Sequence, residues 1–331
     1  MKTTIYDVAK EAGVSIATVS NVINNNGRVG EKTRQKVLKT MAQLEYSPSV
    51  VASALTGKKT NTVGLLIPDI SNPFFADIAR SIEDRGNELG ISVIICSTDN
   101  LEEKEKKYIS LLIRKSVDGF ILASGVKSLD LLEEVMEKKI PVALIANDIP
   151  SLPITTVTID DFKGGYIGTK HLLSLNHTKI AMIAEHAWSN IQRINGYKQA
   201  LLEQNVEPRE EYFIKTEATI ERGKEAGLQL LNLEEPPSAI FACNDLLAIG
   251  AIEAARELGF DLPNDLSVIG FDNTVLCRLT VPKLTSVSQP IHDMGKKVFD
   301  MLLDSDFTNQ KTLFMPELVV RESSGKYKDT V

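Results

Sequence analysis

From Asn61 onward the chain alternates short apolar, β-branched runs with longer amphipathic stretches, and it does so twice. The first series runs "TVGLLI", "SVIIC", "GFIL" and "VALI"; after "TTVTID" the pattern restarts with "IAMI", "YFIK", "AIFA" and "SVIG". Between the first two runs, apolar residues at 75, 78, 79, 82, 86 and 89 follow the 3.6-residue period of a helix lying on one sheet face. Parallel strands need crossover helices, and one twisted sheet carries only a limited series of them. Two series therefore predict an α/β chain with two doubly wound, parallel-sheet lobes.

Such lobes bind ligands at the carboxyl ends of their strands. Those ends carry Asn72, Phe74 and Phe75 in "DISNPFF", Asn147 and Asp148 in "ANDI", Asn244 in "ACNDL", Asp272 in "GFDN" and Gln289 after "TSVS". Arg193 lies on the helix opening "IQRINGY". Arg, Asn, Asp and Gln are planar groups that form paired hydrogen bonds with neighbouring hydroxyls. Aromatic rings cover the C–H faces of a sugar, and Phe74, Phe75 and Trp188 are the candidates. The set predicts a carbohydrate-type small molecule between the lobes.

The first 60 residues are of another kind. In "TIYDVAKEAGVSIATVSNVI", Thr4–Ile23, the apolar positions Val8, Ala12, Val14, Val19 and Val22 lose their common helical register at Gly13. Two short helices meeting at a glycine turn account for the break. Thr4 caps the first, with Asp7 as its capping-box partner, and Ser15 caps the second, from Ile16 to about Asn24. A third helix from Lys32 to about Leu44 offers Val37, Leu38, Met41, Ala42 and Leu44 to the same small core. Alanine in the first helix, glycine at the turn and apolar packing positions make the helix-turn-helix pattern. The next segment, "SPSVVASALTGKKT", reads as a two-turn helix, too short to persist alone in water.

Charge divides along the same line. The chain carries −7 overall, yet residues 1–60 hold nine Lys/Arg against four Asp/Glu, a balance of +5, leaving −12 for the rest. A basic head on an acidic body points to a polyanion partner for the head alone. No apolar run approaches the ~18–20 residues that span a bilayer, and "MKTTIYDVAKE" lacks the apolar region of an export signal. Three scattered cysteines, Cys96, Cys243 and Cys277, suit a reducing compartment. The expectation is a cytoplasmic protein without membrane attachment. Dinucleotide-binding, Walker and nucleophile-elbow motifs are missing, and "TGKKT" lacks the upstream glycine of a phosphate loop. His171, His177, His186 and His292 have no metal-ligand spacing. No catalytic site, metal or cofactor is expected. A sugar-binding protein without DNA function would have no use for the head.

The chain resembles the lactose/galactose repressor (LacI/GalR) family of bacterial transcription regulators. The matching text is "TIYDVAKEAGVSIATVSNVIN", "KTRQKVLKTMAQLEYSPS" and "VVASALTGKKTNTVGLLIPDISNPFF", continuing through "VDGFIL", "TIDDFKGGY", "AIFACNDLLAIGA" and "SVIGFDN" to "LTSVSQP". The resemblance implies a repressor-type homodimer on a near-palindromic operator of double-stranded DNA. It implies that Ile16, Ala17 and Asn21 read bases and that Thr4, Ser15, Thr18 and Asn24 hold phosphates. A hinge helix would wedge Leu55 into the minor groove, and Asn72, Phe74, Phe75, Arg193, Asn244, Asp272 and Gln289 would face the effector. Asn147 stands where the sugar binders carry aspartate, Ala218 where several members have an aromatic, and Asn21 where many have arginine. Ser49 and Val50 replace an asparagine–arginine pair of some relatives.

The implied domains are a head over 1–46, a hinge and linker over 47–60, a first lobe of 61–160 with 291–318, and a second of 161–290 with 319–331. The chain would cross between lobes near Asp160–Asp161, Gln289–Pro290 and Leu318–Arg321. The tail "SSGKYKDTV" has no apolar heptads for a tetramer. Some relatives answer to a phosphocarrier protein instead of a small molecule, but "MGKKVFDMLL" does not reproduce the motif of that subfamily.

Overall fold

The computed structural model describes residues 3–23, 27, 29–46, 59–123, 125–149, 151–304 and 309–327. Asn24 and the hinge positions 47–58, Leu55 among them, lie outside the described residues. The chain divides into two compact units, Met1–Thr60 and Asn61–Val331.

The first unit holds α1 (Ile5–Ala12), α2 (Ile16–Ile23) and α3 (Glu31–Gln43). The N–H and hydroxyl of Thr4 both donate to Asp7 Oδ2, at 2.9 and 2.7 Å, and hold the start of α1. Gly13 ends that helix at φ +61°, where a Cβ would be strained, and lets the Val14 N–H return to the Ala9 carbonyl. Ser15 Oγ accepts from the Thr18 N–H at 3.1 Å, which caps α2. Val8, Ala12, Val19 and Val37 are fully buried, with Ala9 and Val22 beside them. Leu38 and Ala42, expected on the apolar face of α3, are exposed. Thr40 is buried in their place, its hydroxyl donating to the Lys36 carbonyl, so α3 contributes the narrower stripe of Val37, Thr40, Met41 and Leu44. A three-helix core this small has room for one stripe only.

The second unit begins with β1 (Thr62–Ile67), α4 (Pro73–Glu88), β2 (Ser92–Ser97), α5 (Glu102–Arg114), β3 (Gly119–Leu122), α6 (Leu129–Glu137), β4 (Val142–Ile145) and β5 (Thr155–Ile159). It continues with α7 (Asp161–Ser174), β6 (Ile180–Glu185), α8 (Trp188–Leu202), β7 (Phe213–Thr216), α9 (Ile220–Leu231), β8 (Ala239–Ala242), α10 (Asp245–Glu257), β9 (Ser267–Asp272) and β10 (Thr285–Ser288). Last come α11 (Ile291–Leu303), β11 (Lys311–Phe314) and β12 (Glu317–Val319). Two six-stranded sheets result, in the orders β11-β5-β4-β3-β1-β2 and β12-β10-β9-β8-β6-β7. Every pair is parallel except β10–β12. β3, β4 and β8 are buried along their whole length, which accounts for unbroken runs such as "VALI".

The chain passes between the sheets three times. β5 belongs to the first sheet while α7 packs on α8; β10 belongs to the second while α11 packs on α4. The third passage falls at residues 315–316, ahead of the expected Leu318–Arg321, because Glu317–Val319 already pair with β10. A lobe limit at 318 would thus fall inside β12. The buried stripe of α4 also starts one residue early: Phe74, Ile78, Ala79, Ile82 and Gly86 are buried, while Leu89 caps the helix and is exposed.

Helices α7 and α8 touch backbone to backbone. A Cβ on Gly165 would sit 2.0 Å from the Arg193 carbonyl oxygen, and one on Gly196 would sit 2.0 Å from the Phe162 carbonyl oxygen. Only glycine permits this approach. Among the described residues, no helix is long and apolar enough to cross a membrane.

The segment after β12 straps the second sheet. Ser323 Oγ accepts from the Thr285 N–H, Ser324 Oγ bonds His171 Nε2 at 2.9 Å, and the Tyr327 N–H donates to the Leu175 carbonyl. His177, buried, sits between Ser238 Oγ on Nδ1 and the Gly325 carbonyl on Nε2, both at 3.0 Å. A carbonyl can only accept, which assigns the proton to Nε2. Burial lowers the pKa of both His171 and His177 below the ordinary 6.5. A depressed histidine contributes stability that is complete above the unfolded-state value and is lost as pH falls below it. We expect His177→Gln to be less stable than wild type at about pH 7.5, and the gap in Tm to narrow by about pH 5.5. A gap that stays constant in the two melts would rule this out.

Candidate functional site

The carboxyl ends of the second sheet bring together side chains from six elements. Asp161 opens α7, Glu185 ends β6, Arg193 lies one turn into α8, Asn244 caps α10, Asp272 ends β9 and Gln289 follows β10. Arg193 is the one Lys or Arg buried among the described residues. Its Nε donates to Asp161 Oδ1 at 2.8 Å, its Nη1 donates to the Cys243 carbonyl and stands 4.0 Å from Asp272 Oδ1, and its guanidinium lies 3.6 Å above the centre of the Phe271 ring. Stacking on one face and bonding along one edge hold the plane fixed. The glycine contact of α7 with α8 is what lets Asp161 reach it.

Asp272 stands at φ +102°, a region costly for any residue but glycine, with Ser286 Oγ accepting from the following N–H. Gln289 Nε2 donates to Asp272 Oδ1 at 2.7 Å. Behind it Asp245 is fully engaged: Oδ2 accepts from the Thr274 N–H and hydroxyl, and Oδ1 from Ser286 Oγ. Asp245 therefore braces the β9–β10 turn. Arg193 Nη2 and Asp272 Oδ2 have no hydrogen-bond partner among the described residues, and no buried side-chain polar atom is left unpaired.

Electrostatics follow from this geometry. Burial pushes the Asp161 carboxyl up against the opposing pull of Arg193, and it lifts Asp272 well above the carboxylate range, Arg193 opposing and Asp245 adding to the rise. Burial also raises Glu185, with Arg193, Asn190 and Asn244 acting the other way. Burial works against the Arg193 charge too, but Asp161 and Asp272 outweigh it and its pKa rises. Asn190, fully buried, donates to Glu185 Oε1 and accepts from the Glu185 N–H, both at 3.2 Å.

Of the residues expected from sequence, Arg193, Asn244, Asp272 and Gln289 lie together at these strand ends. Asn244 spends its Oδ1 on capping α10 through the Leu247 N–H, and its amide nitrogen faces Glu185. On the first lobe Asn72 caps α4 through the Phe74 N–H at 3.0 Å. Phe74 is buried in the core, and the half-buried Phe75 meets it edge to face at 5.1 Å. Asn147 is half-buried after β4. Trp188 is the first residue of α8; its side chain lies outside what is described. Three members were missed: Asp161, Glu185 and Asn190. A carboxylate directly after "IAMIA" at a strand end was the available signal for Glu185.

In the head, α2 buries Val19 and Val22 and leaves Ile16, Ala17 and Asn21 exposed on its other side. Thr4 and Ser15 are exposed at the two helix starts and Thr18 is half-buried. Asn21 lies over the turn at Gly27, where a Cβ would come within 3.4 Å of its Nδ2. Tyr6, on α1, is 68% exposed and was not anticipated.

Residues 4–49 match the bacterial regulatory proteins of the lacI family, and residues 169–324 match the periplasmic binding protein-like domain. The HTH-type transcriptional regulator DegA of Bacillus subtilis (strain 168) is 50% identical over 98% of this chain and 99% of its own length. The Lac repressor dimer bound to operator and the anti-inducer ONPF superposes with a TM-score of 0.87 at 28% identity, covering 98% of this chain and all of that one. A LacI family transcriptional regulator from Enterococcus faecium with bound ribose gives a TM-score of 0.73 at 32% identity, over 81% of this chain and all of its own. With this head, these two parallel-sheet lobes and relatives alike over nearly its whole length, the chain belongs to the LacI family of helix-turn-helix transcriptional regulators and is not an enzyme.

Proposed function

We propose that the protein reads a near-palindromic operator as a homodimer and that a carbohydrate-type effector, bound between its lobes, changes its affinity for that operator. The observation that carries the effector half is the pairing of Arg193 Nη2 with Asp272 Oδ2. One is a fixed donor, the other an acceptor, and neither has a hydrogen-bond partner among the described residues. Adjacent hydroxyls of a sugar accept from the first and donate to the second. Gln289, Asn244, Asn72 and Asn147 supply further planar groups, and Phe75 and Trp188 the aromatic surface, with Phe74, buried in the core, backing Phe75 edge to face rather than facing the ligand. The ribose in the Enterococcus faecium relative supports the same class of ligand.

For the operator half, Ile16, Ala17 and Asn21 form the solvent side of α2, with the apolar pair suited to thymine methyls and the amide to adenine. Thr4, Ser15 and Thr18 supply phosphate contacts; Asn24 and Leu55 belong to the same proposal through their match to the family. Two-fold symmetry calls for matching half-sites. Coupling between the sites is reciprocal, so operator must alter effector affinity by the factor that effector alters operator affinity.

Selection of DNA from a random pool, repeated with a sugar panel, tests both halves. A palindrome enriched and then shifted by one sugar is the expected result; no enrichment by folded protein would overturn it. On the selected operator, Asn21→Ala is expected to lose roughly 1–3 kcal/mol of discrimination at a single base pair, whereas Thr18→Ala weakens all sequences alike. Uniform weakening by Asn21→Ala in a binding titration would remove it from base reading.

A further inference from the structure

The second lobe meets its ligand with more negative than positive charge. Asp161, Glu185 and Asp272 converge on one guanidinium, and no other Lys or Arg is buried among the described residues. Asp161 is bonded to Arg193 at 2.8 Å and Asp272 stands 4.0 Å from it, so the cation is already matched before any ligand arrives. Glu185 is held by the side-chain amides of Asn190, at 3.2 Å, and Asn244, neutral partners that cancel none of its charge. On the first lobe, Lys104 at the start of α5 is paired with Asp99 just beyond β2.

Resting on the reading of this cleft as the effector site, we propose that it selects by charge, admitting neutral, hydroxyl-rich ligands and rejecting phosphorylated or carboxylated ones, with Glu185 as the specificity-determining residue. An anion placed here would need a cation that Asp161 and Asp272 already occupy, and it would stand beside a third carboxylate. Like charges brought together away from water are strongly unfavourable, and that repulsion rejects a wrong ligand more sharply than any added contact favours a right one. Hydroxyls behave oppositely. They donate to carboxylate oxygens, and the cleft has a surplus of those acceptors. Burial raises all three carboxyls, and Arg193 pulls each of them the other way.

Titration calorimetry on the full-length protein would compare neutral pentoses, hexoses and disaccharides, including ribose, glucose and cellobiose, with ribose 5-phosphate, glucose 6-phosphate and glucuronate. The expected result is binding by at least one neutral sugar, with its phosphorylated or acidic counterpart weaker by roughly 100-fold or more. In Glu185→Gln, which keeps an acceptor for Asn190, that ratio is expected to fall by about tenfold. A phosphorylated sugar that binds as tightly as its parent overturns the charge rule and leaves the effector site standing. So does an unchanged ratio in folded Glu185→Gln for the role of that residue. No heat from any compound, with protein that still melts cooperatively, overturns the effector site itself and the charge rule with it.

Discussion

Gly196→Ala is expected to lower the melting temperature of the two-lobed core by about 6–12 °C, corresponding to roughly 3 kcal/mol of overpacking. The added methyl would start 2.0 Å from the Phe162 carbonyl and 2.7 Å from the Tyr166 nitrogen, both backbone atoms that no rotamer change can move. Relief requires α7 and α8 to part. That motion also draws Asp161 from Arg193, so effector binding should weaken along with stability. Gly125→Ala is the control: its new methyl would meet only Asn147 Nδ2, at 3.8 Å, an ordinary contact. Equal melting temperatures for the two variants in scanning calorimetry would refute the close-packed account.

Arg193→Ala should cost about as much by a different route. Removing one member of a buried ion pair leaves the other uncompensated, at about 3–5 kcal/mol, and here two carboxylates lose their partner while Glu185 loses a nearby cation. Carboxyls whose folded-state pKa lies above the unfolded value stabilise the fold at low pH and progressively less as pH rises. Without the guanidinium their values rise further. The deficit of Arg193→Ala relative to wild type should therefore be largest near about pH 8 and shrink toward about pH 5. Effector affinity is expected to fall roughly 100-fold. A deficit that does not depend on pH would mean that lost packing on Phe271, not charge, sets the cost.

Much of this was legible in the sequence. The double βα series located most strands to within a residue or two, because strands buried on both faces leave continuous apolar runs that few other structures produce. Gly13 and Asp7 disclosed the helix-turn-helix, since local backbone demands are written in local residues. What stayed hidden depends on partners far along the chain. β11 and β12 are short strands with no fully buried position, so neither carries a strong pattern. Glu185, Asn190 and Asp161 matter because of where Arg193 lies, 8, 3 and 32 residues away in sequence. Gly165 and Gly196 look like weak points in amphipathic helices until the helices are seen to meet there. Leu38 misled for the same reason: residue type said buried, and the neighbouring helices said otherwise.

The threefold passage between the lobes has a consequence for how the protein is made. Neither sheet is complete until residues 311–319 have left the ribosome, because β11 closes the first and β12 the second. The head, by contrast, is finished once Gln43 and Leu44 emerge. At about 5–20 residues per second, the translated head waits on the order of 15–55 seconds for its regulatory core. During that interval a nascent chain carries a DNA-reading surface with no effector site to govern it. Newly made protein is thus poised to fold its head near its own message well before it can sense a ligand, and a ribosome stalled upstream of Lys311 would display the one without the other.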